Sequence, residues 1–174
     1  MKEIDVYKVL EGKNPKLARR VPRFVVDYLR RTIHEREVNE ILARFGDLEG
    51  IAFVRAALGY MNVRYHSVGM ERLNPEGRYV FASNHPFGGM DGLMLADEVA
   101  RYFGDVRVVV NDLLMYLGPL RGLFVPVNKH GRQDAGSVEA FNNAFASDVP
   151  IVTFPAGLCS RRRRGVVRDL EWKP

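Results

Sequence analysis

The sequence has 174 residues, a net charge of +5 and an apolar share of 47%, which fit one globular domain and exclude a disordered chain. No stretch approaches the roughly 20 consecutive apolar residues of a membrane-spanning helix, and the first residues are charged and unlike an apolar signal segment. The single cysteine, Cys159, cannot form an internal disulfide, so a reducing cytoplasm suits the chain.

The first sixty residues are predicted to be helical. Between Lys16 and Arg31, apolar residues recur at helical spacing with basic residues around them, which is typical of a basic amphipathic helix. Pro22 is predicted to begin or kink this helix. The pattern leaves two placements open: the helix lies on an anionic membrane surface, or it packs on the protein with its basic face in water.

Two further helices are predicted over residues 37–45 and 48–58. Gly46, Gly50 and Gly59 punctuate this part of the sequence, and glycine is the usual residue at a helix end. These helices complete an N-terminal helical segment over residues 1–60.

Residues 61–174 are predicted to form an α/β core. Short apolar runs predict strands at residues 79–83, 106–110, 123–127 and 151–154. Between them, helical spacing recurs over residues 93–103 and 138–145. This alternation predicts a mixed sheet layered with helices.

The first predicted strand is followed by a turn that contains side chains able to take part in acid–base catalysis. Asn84 and His85 follow the strand directly, and Gly88 and Gly89 precede Asp91. Active sites of open α/β sheets form at the carboxyl ends of strands. A histidine there can accept a proton near neutral pH, and a nearby carboxylate can fix its tautomer. On spacing alone, a loop histidine and a helix-capping aspartate are the commoner outcome.

Two other predicted strands also end in polar loops. Lys129 and His130 follow the third strand, and a Phe-Pro-Ala-Gly block at residues 154–157 follows the fourth. Ser160 and a run of four arginines at residues 161–164 come next. We expect the three loops to lie along one edge of the sheet.

The order of these blocks resembles the glycerophosphate and lysophospholipid acyltransferase superfamily, and is most similar to its bacterial hemolysin-like branch, which acylates lyso-ornithine and lyso-glycine lipids. The resemblance implies that His85 is the general base and that Asp91 orients it. It also implies a backbone N–H of Gly157 near the oxyanion. The positions that it implies for substrate binding are Asn84, Gly88, Gly89, Lys129, His130, Phe154, Pro155, Gly157, Ser160 and Arg161.

Two positions depart from the superfamily pattern. Five residues, instead of four, separate His85 from Asp91, and Ala156 stands where glutamate is usual. The aminolipid branch resembles this chain in both respects. The loop must therefore absorb one extra residue if His85 and Asp91 are to meet.

The resemblance implies transfer of a fatty acyl group from acyl carrier protein or coenzyme A to the hydroxyl of a lyso-lipid, with no metal and no cofactor. The implied location is the cytoplasmic face of the inner membrane, as a peripheral protein, or else the cytoplasm. The arginines at residues 161–164 would then meet the acidic donor, the acceptor head group or anionic lipid, unless they are simply solvated.

Other interpretations stay open at this stage. One is a catalytically inactive lipid-binding module, and another is a thioester hydrolase. A nucleic-acid binder is disfavoured because no nucleic-acid motif accompanies the basic residues. The 174 residues are also compatible with a part of a longer acyltransferase, incomplete at its C-terminus.

Overall fold

A computed structural model describes residues 3–128 and 133–172 of the chain. The helices are α1 (Val6–Lys13), α2 (Pro15–Ala18), α3 (Arg23–Thr32), α4 (Glu35–Phe45), α5 (Gly50–Tyr60), α6 (Gly89–Phe103) and α7 (Ala135–Ala146). The strands are β1 (Val80–Ala82), β2 (Arg107–Asn111), β3 (Phe124–Val127), β4 (Ile151–Thr153), β5 (Arg161–Arg163) and β6 (Val166–Arg168).

Helix α3 begins directly after Pro22, as predicted, because the proline φ of −62° suits a helix start. Val26 is its buried residue. Phe24 and Tyr28 remain 73% and 67% exposed, so much of the predicted apolar face is not covered by the protein.

Helix α4 ends at Gly46, as predicted, and the Gly46 N–H donates to the Leu42 carbonyl at 2.8 Å. Gly50 is the first residue of α5, and Gly59 lies in its last turn, one residue before the helix ends at Tyr60. Burial of Phe53 and Val54 in the core outweighs the weak helix propensity of glycine, about 1 kcal/mol per residue.

Strands β1 to β4 form one parallel sheet in the order β1-β4-β2-β3. All four lie within one or two residues of their predicted positions, and the predicted α/β class is confirmed. The antiparallel pairing is confined to a separate hairpin of β5 and β6, so the two strand directions occur in two sheets instead of one mixed sheet. Because the four strands are parallel, their carboxyl ends share one edge.

The core joins the N-terminal helices to the sheet. Val54 of α5, Val99 of α6 and Val152 of β4 are all fully buried in one cluster. A smaller cluster packs Ala144 of α7 against Val125 and Ile151. Within residues 3–128 and 133–172, no helix is both long and apolar enough to cross a membrane.

Candidate active site

His85 and Asp91 meet at the carboxyl end of β1. The imidazole Nδ1 lies 3.1 Å from Oδ2 of Asp91, and the backbone N–H of Phe87 donates to the same oxygen at 2.8 Å. Both side chains are largely withdrawn from solvent, with 19% and 11% exposed. Asp91 is therefore not the helix cap that spacing alone favoured.

The loop absorbs its extra residue at Gly88. This glycine has φ of 66° and ψ of −133°, a conformation that only glycine adopts without strain. It ends the turn, and α6 begins at Gly89. Asp91 then occupies the third helical position, and its carboxylate reaches back over the turn to His85.

Phe154 covers one face of the imidazole. The two rings stack with centroids 4.2 Å apart and an angle of 28° between their planes. Gly92, in the first turn of α6, lies beside this ring, since a Cβ there would make an ordinary contact with Phe154 Cε2 at 3.9 Å. Phe154, expected from the sequence to bind substrate, thus also fixes the plane of the His85 ring.

The block after β4 forms a tight turn. The Gly157 N–H donates to the Phe154 carbonyl at 2.8 Å, and Gly157 has a φ of 64°. The N–H that the sequence assigned to the oxyanion is therefore engaged within the turn. Pro155 lies within the turn, and Ala156 is 6% exposed, so a glutamate at this position would be buried.

Ser160 connects this block to the histidine turn. Its backbone N–H donates to the His85 carbonyl at 2.9 Å, and its Oγ donates to Asp169 Oδ1 at 2.5 Å. Asp169 Oδ2 also accepts from Asn84 Nδ2 at 2.7 Å. Asn84 Oδ1 in turn accepts from the indole N–H of Trp172 at 2.9 Å.

These contacts of Asp169 were not anticipated from the sequence, and no spacing rule connects residues 85 positions apart. The sequence also left the role of Trp172 undecided. Lys129 and His130, assigned to substrate binding, lie outside the described residues. Arg161 opens β5 and is exposed.

The arrangement prepares His85 for proton transfer. Asp91 accepts only, when ionised, so the hydrogen bond to Nδ1 requires a proton on that nitrogen and leaves a lone pair on Nε2. Nε2 makes no hydrogen bond to any other described residue. A neutral imidazole in this tautomer can accept a proton at Nε2, on the side of the ring away from Asp91.

A second polar cluster lies between α5 and α6, beside an open cavity of about 320 Å³. Buried Asp97 accepts from Arg55 at 2.7 Å, Tyr65 at 2.5 Å and Arg101 at 2.8 Å. Burial alone would raise the pKa of Asp97, but the hydrogen bonds from Tyr65 and Arg55 and the positive charge of Arg101 outweigh it and lower the pKa. Burial and the bond to Asp97 raise the pKa of Tyr65.

Comparison with known proteins matches residues 8–174 to the family model described as "Acyltransferase". A protein of Bacteroides thetaiotaomicron named lyso-glycine lipid O-acyltransferase is 44% identical over 171 residues. A protein of the same name from Phocaeicola vulgatus is 42% identical over 171 residues.

Both matches cover 98% of this chain but only 63% and 61% of the relatives, so the chain spans about three fifths of their length. No solved structure gives a significant match.

Proposed function

The chain belongs to the acyltransferase family, and from that premise we propose that it transfers a fatty acyl group from an acyl thioester to the free hydroxyl of a lyso-lipid. The observation that carries the proposal is the His85–Asp91 pair at the end of a parallel strand. The proposed acceptor is a lyso-aminolipid, first of all a lyso-glycine lipid, because two relatives over 40% identical carry that name.

His85 is the proposed general base. Its Nε2 removes the proton of the acceptor hydroxyl as that oxygen attacks the thioester carbonyl carbon, and Asp91 stabilises the imidazolium that forms. When the tetrahedral intermediate collapses, the carbon–sulfur bond breaks and the imidazolium returns its proton to the leaving thiolate. The products are an ester and a free thiol, and no serine or cysteine nucleophile takes part.

The amino end of α6 is the proposed oxyanion site. No side chain caps this end, and the first N–H groups of a helix have no acceptor within it. The N–H groups of Gly89 and Met90 therefore carry a partial positive charge in the same turn that carries His85. This assignment replaces Gly157, whose N–H is donated to Phe154.

The donor is proposed to be acyl carrier protein or acyl coenzyme A, both of which are negatively charged. Arg161, Arg162, Arg164 and Arg168 are exposed on the β5–β6 hairpin, directly after Ser160, and make no ion pair within the described ranges. They supply positive charge beside the site, where either donor or an anionic lipid surface can meet it.

The α3 helix is the proposed contact with the bilayer. Phe24 and Tyr28 are exposed one turn apart, and Arg20 and Arg23 lie next to them in an amphipathic pattern typical of interfacial helices. Phe24→Ser combined with Tyr28→Ser should weaken binding to anionic vesicles, whereas Val68→Ser, at a residue 82% exposed elsewhere, should not. Equal binding by both proteins would refute this contact.

The decisive experiment measures acyl transfer from acyl carrier protein and from acyl coenzyme A to lyso-glycine lipid, lyso-ornithine lipid and lysophosphatidic acid. The intact chain is compared with His85→Ala and with His66→Ala, a histidine that is exposed and makes no hydrogen bond or ion pair with the described residues. Loss of general-base catalysis alone is worth about 10²- to 10⁴-fold in rate.

Transfer that disappears in His85→Ala and persists in His66→Ala would establish the reaction and name the acceptor. Thioester cleavage without a lipid product would indicate a hydrolase. Lipid binding without turnover in any of the three proteins would indicate an inactive lipid-binding module.

A further inference from the structure

The segment after the β5–β6 hairpin returns to the active-site turn. Asp169 is the bridge, because one carboxylate oxygen accepts from Asn84 and the other from Ser160. Asn84 precedes His85, and Ser160 donates its backbone N–H to the His85 carbonyl. One carboxylate therefore ties together the two loops that build the site.

Trp172 completes this arrangement. Its indole N–H donates to Asn84 Oδ1, so both polar atoms of the Asn84 amide are engaged. A carboxylate can only accept and an indole N–H can only donate, so only one orientation of the amide satisfies both partners. These two bonds therefore hold the Asn84 side chain in one conformation. Because Asn84 precedes His85 directly, they also restrain the backbone at His85.

We propose that Asp169 and Trp172 are positioning residues, which act through Asn84 to hold the His85 ring between Asp91 and Phe154. The proposal rests on the acyl transfer proposed above. It also reassigns the Asn84 side chain from substrate binding to support of the catalytic turn. Neither Asp169 nor Trp172 forms a hydrogen bond or a ring contact with His85 among the described contacts, so their effect on the ring passes through the turn.

The donor and acceptor pattern allows an exchange test. Asn84→Asp alone places two carboxylates against each other and should lower kcat about 10- to 100-fold, the cost typical of a small misplacement of a catalytic group. Asp169→Asn alone should have a mild effect, because the new amide can accept from Asn84 and donate to the Ser160 hydroxyl, which also accepts.

The double variant Asn84→Asp with Asp169→Asn restores all three bonds and reverses the polarity of only the bond between positions 84 and 169. Asp at position 84 then accepts from the new amide and from Trp172, while the amide oxygen accepts from Ser160. We expect kcat to recover most of the loss caused by Asn84→Asp. Trp172→Phe, which keeps a ring but removes the N–H, should lower kcat, with KM for the thioester changed less than about twofold.

Glu171→Gln is the matched control, since Glu171 lies in the same segment, is exposed and makes no hydrogen bond or ion pair with the described residues. It should behave like the intact chain. Thermal unfolding of every variant separates lost folding from lost positioning. Wild-type kcat in Asp169→Ala, or a double variant as impaired as Asn84→Asp, would overturn the proposal.

A spectroscopic readout keeps this test independent of the proposed reaction. The chain has four histidines, so long-range nitrogen spectra of the imidazole rings can resolve His85. Asp169→Ala should replace the single Nδ1-protonated tautomer by an average of both, whereas Glu171→Gln should not. Unchanged His85 signals in Asp169→Ala would refute the positioning role of Asp169, whatever the transfer assay shows. Absence of acyl transfer in the intact chain would refute only the proposed reaction.

Discussion

At the scale of single residues, the site depends on how one carboxylate is shared. Asp91 accepts from both the His85 ring and the Phe87 backbone, so the carboxylate that orients the His85 ring also closes the turn. The extra residue does not separate His85 from Asp91, because Gly88 bends the chain back before α6 begins.

Gly88→Ala should therefore damage the site more than the fold. A side chain at this φ and ψ is strained by about 1 to 3 kcal/mol, and this strain is the main effect, because the Cβ would make only an ordinary contact with Cys159 Sγ at 3.5 Å. We expect acyl transfer to fall at least about tenfold, since the turn relaxes and separates His85 from Asp91. The transfer assay and urea unfolding, run together, measure both effects.

Gly122→Ala is the matched control for this change, because a Cβ there meets nothing within 4 Å. Full activity in Gly88→Ala would contradict the role given to the turn.

At the scale of elements, the edge of the sheet brings the site loops together, whereas the hairpin presents exposed surface beside them. The parallel strands bring the loops after β1 and β4 together, and their contacts are short and well defined. The hairpin projects beyond them with a two-residue turn at Arg164 and Gly165, whose φ values are 50° and 82°. Val166 and Val167 are each 56% exposed on it, so the hairpin presents apolar as well as basic surface.

Removing positive charge from the hairpin should weaken the binding of an anionic partner. Arg161→Gln, Arg162→Gln and Arg164→Gln together should reduce binding to anionic vesicles or raise KM for acyl carrier protein, by about 1 kcal/mol per charge at a membrane surface. Added salt should shrink the difference. The same number of changes at exposed Arg36, Arg64 and Arg78 controls for net charge, and an equal effect of both sets would argue against a local role.

The Asp97 cluster between α5 and α6 makes stability depend on pH. The pKa of Asp97 is lowered in the folded chain, so its contribution is complete above the ordinary value of about 3.9 and is lost as pH falls through the folded pKa. Arg55 and Arg101 are 53% and 59% exposed, so solvent screens their charge and the hydrogen bonds dominate.

We expect Asp97→Asn to lower the free energy of unfolding at pH 7 by about 1 to 3 kcal/mol. The difference in the free energy of unfolding between Asp97→Asn and the intact chain should become smaller below about pH 4. Urea unfolding at pH 7 and pH 3.5 measures this, with exposed Asp148→Asn as control. A difference that stays constant with pH would show that the carboxylate charge is not the cause.

At the scale of the whole molecule, the N-terminal helices and the sheet share one interior. The main cluster takes Ile41 from α4 and Phe53 from α5 together with Val108 from the sheet. Residues on both sides of position 60 thus bury each other, and we expect the segments 1–60 and 61–174 to unfold as one unit.

Val54→Ala tests this expectation, because Val54 is fully buried in α5. Removing its two methyl groups should lower the free energy of unfolding by about 2 kcal/mol. The loss should be equal by far-UV circular dichroism and by fluorescence of Trp172, the one tryptophan of the chain. Val68→Ala, at a residue 82% exposed, should change neither, and two separate transitions would show that the segments unfold independently.

The sequence by itself determined the α/β class, the main strands and helices of the sheet layer, and the resemblance to acyltransferases. Short apolar runs located β1 to β4, and apolar residues with a period of 3.6 located α6 and α7, because a buried strand and a helix with one buried face require these patterns. The blocks around His85 and Phe154 were visible as well, since each lies directly after an apolar strand.

Only the tertiary structure decided which groups meet. Asp169 and Trp172 reach Asn84 from more than 80 positions away, and no local period encodes such a contact. The N–H of Gly157 was expected near the oxyanion, but in the structure it donates to the Phe154 carbonyl in the same turn. The acceptor of a backbone N–H depends on the conformation of the loop and not on the residue type. Local sequence fixes which faces must be buried, whereas the partners of exposed polar groups follow from how the buried faces pack.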